Sequence, residues 1–167
     1  PRGRATFGRL YDMDVTGGHF VAELTEVNEA LLAACKASNA FTVEALLTPA
    51  EGPQTGPARI VAFSSGNADC NFALCQHLDA LALKIRTNGT GKAGAMAGLC
   101  KIPPGKPSHV VLTVYPGMIR CYIDGKATKP YYTFQGNFST WSPQRLTFGD
   151  EWDGGCDWKG RIEGLAI

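Results

Sequence analysis

The sequence has 167 residues, of which 44% are hydrophobic and 19% are charged, and its formal net charge is +1. A chain of this length can bury the core of one domain without covalent cross-links, so we expect residues 1–167 to form a single domain. The near-balance of charge argues against a nucleic-acid-binding protein, and no apolar run is long enough for membrane insertion as a helix.

Hydrophobic and polar side chains alternate through most of the sequence in short runs separated by turn residues, a pattern typical of β-strands. Residues 1–16 are expected to be an N-terminal extension or an edge strand. The spacing in residues 28–38 predicts a short helix, with Asn28 placed to cap its start. The predicted strands, in chain order, are 19–24, 41–49, 58–65, 71–76, 80–87, 108–115, 118–125, 144–150 and 160–167.

The clearest predicted hairpin joins 108–115 to 118–125 across a Pro-Gly pair, whereas the glycine- and proline-rich stretch 88–107 is predicted to be a long loop. Residues 144–150 and 160–167 are expected to pair as a closing hairpin. Short strands, one short helix and no strand–helix alternation indicate an all-β fold, a two-sheet antiparallel β-sandwich of the jelly-roll type.

Six cysteines, at positions 35, 70, 75, 100, 121 and 156, are more than a domain of this size needs. An even number fits up to three disulfides in an oxidising compartment, with fifteen possible pairings, and we expect at least one to form. The alternative is that all six are free thiols. Zinc is disfavoured because the nearest cysteines are not spaced as metal-binding pairs.

The segment FGDEWDGGCDWKG (148–160) gathers acidic and aromatic residues between the last two predicted strands. Its four carboxylates make Ca²⁺ possible, because hard cations prefer carboxylate and backbone oxygens in tight loops. The alternative is that the acids accept hydrogen bonds from turn amides, as aspartates in glycine-rich loops do. No cofactor is expected to be required, and the candidate calcium ligands are Asp150, Glu151, Asp153 and Asp157.

Aromatic side chains are concentrated toward the C-terminus, interleaved with amides and hydroxyls. Such a combination suits a sugar, because an aromatic face stacks on a pyranose ring while polar groups bind its hydroxyls. Trp158 is instead expected to anchor the core. The candidate ligand-binding residues are Trp152, Trp141, Tyr132, Gln135 and Asn137.

Three stretches resemble the laminin-G-like, concanavalin A-like lectin/glucanase jelly-roll domains of bacterial secreted and surface proteins. AFTVEALLTPA (40–50) is similar to a strand of that family in which Leu46 replaces the usual tryptophan. PSHVVLTVYPGMIRCYIDGK (107–126) resembles its central hairpin, and RLTFGDEWDGGCDWKGRIEGLAI (145–167) resembles its closing strands. The resemblance spans about residues 17–167 and implies the same jelly roll.

The resemblance also implies a function in recognition. The family's glucanases use a strand with alternating acids, of which Glu151 and Asp153 supply half, but Cys156 stands where a further glutamate would be. We therefore expect a non-catalytic module that binds a glycan or a protein partner, at the cell surface, outside the cell or in the periplasm. Two alternatives stay open: a structural spacer of a larger complex, and a glycan-active hydrolase or lyase with an unrecognised site. The start at Pro1 and the strand-like end at Ile167 suggest a module of a longer, multidomain protein.

Overall fold

A computed structural model describes residues 3–8, 12–23, 25–129 and 131–167. These residues form two antiparallel sheets packed face to face with one helix, which confirms the predicted jelly-roll sandwich. No helix in the described part of the chain is both long and apolar enough to cross a membrane. The elements are β1 (Arg4–Phe7), β2 (Met13–Thr16), β3 (Phe20–Ala22), α1 (Thr25–Ser38), β4 (Phe41–Pro49), β5 (Gln54–Gly66), β6 (Asp69–Leu78), β7 (Ala80–Ile85), β8 (Ala95–Lys101), β9 (Ser108–Tyr115), β10 (Met118–Ile123), β11 (Lys126–Ala127), β12 (Tyr132–Thr133), β13 (Arg145–Phe148) and β14 (Lys159–Ala166).

Strands distant in sequence are neighbours in both sheets. The eight-stranded sheet has the order β1-β2-β14-β4-β9-β10-β11, with β12 also pairing β10. The six-stranded sheet has the order β3-β13-β5-β6-β7-β8. The first sixteen residues therefore contribute two strands at one edge of the eight-stranded sheet, and the C-terminal strand β14 lies between them and β4.

The core lies between the sheets and is built by alternation along each strand. Every second residue of β4, from Phe41 to Pro49, is buried, as is every second residue of β9. Stacked aromatic rings fill one end of the core, where the rings of Phe138 and Trp141 lie 4.3 Å apart. The Trp141 indole N–H donates to the backbone oxygen of Arg86 at 2.7 Å, so the one polar group of this side chain is satisfied inside the protein.

The helix begins at Thr25, three residues before the predicted start. Asn28 therefore lies within the first turn and is not the N-cap. Its side-chain amide donates instead to the backbone oxygen of Ala22 at 3.0 Å, which ties the helix to β3. At the other end, Lys36 donates to the backbone oxygen of Trp141 at 3.1 Å.

Two predictions about connections are wrong. The predicted loop 88–107 contains β8, which pairs with β7. A strand at the edge of a sheet is held by backbone hydrogen bonds to one neighbour, so alanine and glycine residues can form such a strand. The predicted closing hairpin does not exist, because β13 pairs with β3 and β5 in one sheet while β14 pairs with β2 and β4 in the other. Residues 149–158, here called the crossover, connect the two sheets.

All six cysteines, which lie within the described residues, are free thiols. Cys100 on β8 and Cys121 on β10 face each other across the two sheets with their sulfur atoms 3.5 Å apart. Cys70 and Cys75 lie on β6, and Cys35 is buried on the helix.

Candidate functional site

The crossover is anchored by an ion pair that is completely buried. The Arg59 side chain, on the outer face of the six-stranded sheet, donates through Nε to Glu151 Oε1 at 2.7 Å, and both side chains are 0% exposed. The other guanidinium nitrogens donate to Cys75 Sγ at 2.7 Å and to Asn67 Oδ1 at 2.8 Å. Because a buried charge is costly without partners, this set of contacts fixes where Glu151 must lie.

Further hydrogen bonds complete the network around this pair. The Ser64 hydroxyl donates to the second carboxylate oxygen of Glu151. Lys84 donates at 2.6 Å to both the backbone and the side-chain oxygen of Asn67, the residue that also accepts from Arg59. The crossover is thus bound to β5 by side chains and, through the 2.7 Å bond from the Arg59 amide to the Cys156 oxygen, by backbone.

The Asp150 side chain links two parts of the crossover by hydrogen bonds to its backbone. Its Oδ1 accepts from the backbone amides of Glu151 at 2.7 Å and Cys156 at 2.8 Å. Burial, together with a side-chain hydrogen bond to the Asp157 carboxyl, raises the pKa of Asp150. This is the turn-capping role that the sequence offered as the alternative to calcium binding.

The four predicted calcium ligands are not gathered into one site. The two carboxylate oxygens of Glu151, a predicted ligand, instead accept from Arg59 and Ser64. Asp153 lies against Gly66, while Asp157 lies beside Gly17 and the Asp150 carboxyl. Within the described ranges, no three His, Cys, Asp or Glu side chains form a group suited to a metal ion. Calcium binding by the aspartates stays a prediction.

Next to Glu151 the chain turns outward, and Trp152 reaches the surface with 41% of its area exposed. Its ring forms one wall of an open groove of about 290 Å³ between β3, the first turns of α1 and the start of β13. The residues that line the groove are Val21, Ala22, Glu23, Thr25, Asn28, Glu29, Pro143, Gln144, Arg145 and Trp152.

The groove combines an aromatic surface with several kinds of polar group. The Arg145 guanidinium carbon lies 4.1 Å from the centre of the Trp152 ring, a cation–π contact that orients both side chains. Two acceptor atoms of the lining residues, Asn28 Oδ1 and Gln144 Oε1, are shielded from solvent and have no hydrogen-bond partner among the described residues. Exposed carboxylates are supplied by Glu23 and Glu29.

The amide side chains in the groove are held by their donor ends. Gln144 donates to Asp69 Oδ1 at 2.9 Å and to the Ser142 hydroxyl at 3.2 Å, while Asn28 donates to Ala22. Their oxygens accept no hydrogen bond from the described residues, and both atoms are shielded from solvent in this conformation.

A second groove nearby has a different character. It has a volume of about 540 Å³, lies between α1 and strands β13 and β14, and is lined only by apolar residues. These are Ala22, Val27, Ala30, Leu31, Ala34, Leu146, Phe148, Leu165 and Ile167. Such a surface offers no side-chain group that could orient the hydroxyls of a sugar.

The structure does not bring the predicted ligand-binding residues together. Trp141 is only 2% exposed and belongs to the aromatic core, so its assignment as a ligand-contacting side chain is wrong. Tyr132 lies opposite Ile119 at the edge of the eight-stranded sheet. Gln135 borders a separate shallow cavity with Thr133, and the Asn137 side chain accepts from the Ser139 amide at 3.0 Å. Trp152 alone of the five lines the groove described above.

Sequence patterns missed most of the groove because its residues come from three separate stretches. Glu23, Asn28 and Glu29 flank or begin the helix, and Gln144 and Arg145 start β13. One signal for the buried ion pair was available, since Arg59 interrupts the apolar run ARIVAF, and a charge in a buried strand requires a partner.

Comparison with solved structures places the fold among domains of secreted proteins and toxins. Domain 4 of an extracellular arabinanase from Geobacillus stearothermophilus, in complex with arabinotriose, matches 99% of this chain and 74% of its own, with 17% identity and a TM-score of 0.61. The binding domain of botulinum neurotoxin DC, in complex with rat synaptotagmin II, matches 98% of this chain and 41% of its own, with 11% identity and a TM-score of 0.65. A mutant NanB sialidase from Streptococcus pneumoniae matches 93% of this chain and 25% of its own, with 13% identity and a TM-score of 0.67.

These likenesses describe a shared fold. The chain spans less than half the length of the toxin and sialidase chains that it matches. None of the curated proteins matches the sequence closely enough to count as a relative. The family model for the concanavalin A-like lectin/glucanases superfamily, in its laminin-G form, matches residues 24–167, which include β4 to β14 and the crossover. The chain belongs to this superfamily.

Proposed function

We propose that this domain is a non-catalytic module that binds a glycan, and that it does so through the groove beside Trp152. The observation that carries the proposal is the pairing, in one open groove, of a half-exposed tryptophan with amide side chains and with charged groups of both signs. Sugars present apolar ring faces and dense hydroxyls, and this groove has a partner for each. The similar arabinanase domain, whose structure contains arabinotriose, supports the choice of a glycan.

The partners and the exposure of the carboxylates favour binding over hydrolysis. A glycosidase needs one carboxyl that is held protonated by its surroundings and a second that is ionised nearby. Glu151 is committed to Arg59, and Asp150 is committed to the backbone of the crossover. Glu23 and Glu29 are exposed, so neither lies in an enclosed apolar site of the kind that a general acid occupies.

A secreted or surface-attached protein is the setting that this function requires. The similar domains come from an extracellular arabinanase and from a toxin domain bound to synaptotagmin, and both are parts of larger chains. We propose that this domain likewise serves a larger protein by holding it to a glycan-bearing surface. Its own chemistry would then be limited to attachment.

The test is a glycan array probed with the purified domain and three variants. We expect the wild type to bind a defined set of glycans, and Trp152→Ala to lose at least about tenfold of that binding, the equivalent of roughly 1.4 kcal/mol. Trp152→Phe keeps an aromatic face and should retain most of the binding. The matched control is Tyr131→Ala, which removes a more exposed aromatic side chain that does not line the groove. Equal binding by the wild type and Trp152→Ala would refute the proposal.

A further inference from the structure

Two cysteines lie in contact at one edge of the sandwich, where Cys121 is part of the core and Cys100 packs against it. Cys100 lies on β8, the edge strand of the six-stranded sheet, and Cys121 lies on β10 of the eight-stranded sheet. Their sulfur atoms are 3.5 Å apart, which is contact distance for two thiols. The two strands belong to different sheets, so a bond between these sulfurs would join the two layers.

We propose that Cys100 and Cys121 are a modification site, at which a small-molecule disulfide such as oxidised glutathione converts the two thiols into one disulfide that cross-links the sheets. The exchange takes place in two steps. The Cys100 thiolate attacks one sulfur of glutathione disulfide, forms a mixed disulfide and releases one glutathione thiolate. The Cys121 thiol then gives its proton to the released glutathione thiolate as its sulfur attacks the Cys100 sulfur, and the second glutathione thiolate leaves and takes up the proton that Cys100 had lost. In sum, two protein thiols and one glutathione disulfide become one protein disulfide and two glutathione thiols.

The surroundings of the two sulfurs fit this order of events. Cys100 is partly exposed and Cys121 is only 4% exposed, so an external disulfide reaches Cys100 first. The hydrogen bond from Cys121 lowers the pKa of Cys100, whereas that same contact and burial raise the pKa of Cys121. The more acidic thiol at the accessible position, with the less acidic one behind it, is the arrangement of an attacking and a resolving cysteine.

The other four cysteines lack this arrangement. Cys35 is buried on the helix with its pKa raised to about 11 by burial, and Cys75 accepts a hydrogen bond from Arg59. Cys70 is buried with its pKa raised to about 12, mainly by burial. Cys156 lies in the crossover and is available as a control because it is partly exposed. The site is also independent of the glycan proposal, since neither Cys100 nor Cys121 lines the Trp152 groove.

The experiment compares fully reduced protein with protein equilibrated in a glutathione redox buffer. After blocking of free thiols and digestion with trypsin, we expect one cross-linked pair of peptides, AGAMAGLCK (93–101) joined to CYIDGK (121–126), each of which contains a single cysteine. The thiol count should fall by two. The melting temperature should rise by about 6 to 12 °C, the effect of closing a loop of this length in a domain of this size.

Variants separate this assignment from other oxidation chemistry. Cys100→Ser and Cys121→Ser should each abolish the cross-linked peptide and the rise in melting temperature, and Cys156→Ser should preserve both. Should the two peptides be recovered with blocked, unlinked cysteines after equilibration, the proposal is overturned. It is equally overturned if the linked peptides contain other cysteines. Neither outcome depends on the result of the glycan array.

Discussion

The buried ion pair gives the sharpest prediction about how the fold supports the groove. Glu151→Gln preserves the size of the side chain and removes its charge, leaving the Arg59 guanidinium buried at 0% exposure without a counter-charge. Removing one partner of such a pair costs about 3 to 5 kcal/mol of folding free energy. For a domain of this size that corresponds to a fall in melting temperature of about 6 to 20 °C.

The assay is urea unfolding followed by tryptophan fluorescence, with the free energy of unfolding obtained at constant m-value. The matched control is Glu163→Gln, an exposed glutamate on β14, which should change the free energy by less than about 0.5 kcal/mol. A double-mutant cycle then isolates the pair. Arg59→Met and Glu151→Met together should cost less than the sum of the two single changes, by about 2 kcal/mol or more.

The same variant connects stability to binding, because Trp152 follows Glu151 in the chain. If the ion pair holds the crossover in place, Glu151→Gln should also weaken glycan binding under conditions where the domain is still folded. A Glu151→Gln protein as stable as the Glu163→Gln control would refute the account of the crossover. Additive single and double changes would do the same.

Three further predictions concern the crossover and the core. Asp150→Asn keeps the acceptor for two backbone amides and can donate to Asp157, so it should equal or exceed the wild type in melting temperature at pH 8. Burial and Asp157 raise the pKa of Asp150, so the native state holds the Asp150 proton more tightly than the unfolded state does. Wild-type stability should therefore decline as the pH rises from about 4 through the raised pKa. Asp150→Asn should flatten that decline in melting curves recorded over a series of pH values. In the same melting assay, added CaCl₂ should stabilise the wild type but not Asp150→Asn if calcium binds these carboxylates, and an unchanged melting temperature with EDTA and with CaCl₂ would contradict the calcium prediction. Trp141→Ala should cost about 3 to 5 kcal/mol in urea unfolding because it leaves a cavity among stacked rings, and a loss below about 1 kcal/mol would contradict its place in the core.

Local sequence patterns predicted the strands whose two faces differ. FTVEALLTP has strict alternation, and β4 has the predicted bounds Phe41–Pro49. The hairpin of β9 and β10 was also predicted correctly, because its turn contains Pro116 and Gly117. Strand β8 was not predicted because its alanines and glycines give no clear alternation of hydrophobic and polar residues, so its sequence resembled that of a loop.

The site was less predictable because it depends on pairing between distant strands. The local sequence does not show whether residues 149–158 form the turn of a hairpin or a connection between two sheets. That depends on which strands pair with β13 and β14, and it decides whether Trp152 lies at the tip of a hairpin or against a sheet. Trp141 precedes a Ser-Pro pair that is typical of an exposed loop, and only the stacking with Phe138 reveals it as core. The groove around Trp152 likewise exists only once α1, β3 and β13 are assembled.

The central claim is that the Trp152 groove is the glycan-binding site, and calorimetric titration tests it most directly. The titrant is the oligosaccharide that gives the strongest signal on the array, added to the wild type, Trp152→Ala and Tyr131→Ala at equal concentrations of folded protein. We predict that the Kd of Tyr131→Ala equals that of the wild type and that the Kd of Trp152→Ala is at least about tenfold higher. Equal affinities for all three proteins would place the glycan elsewhere and contradict the claim.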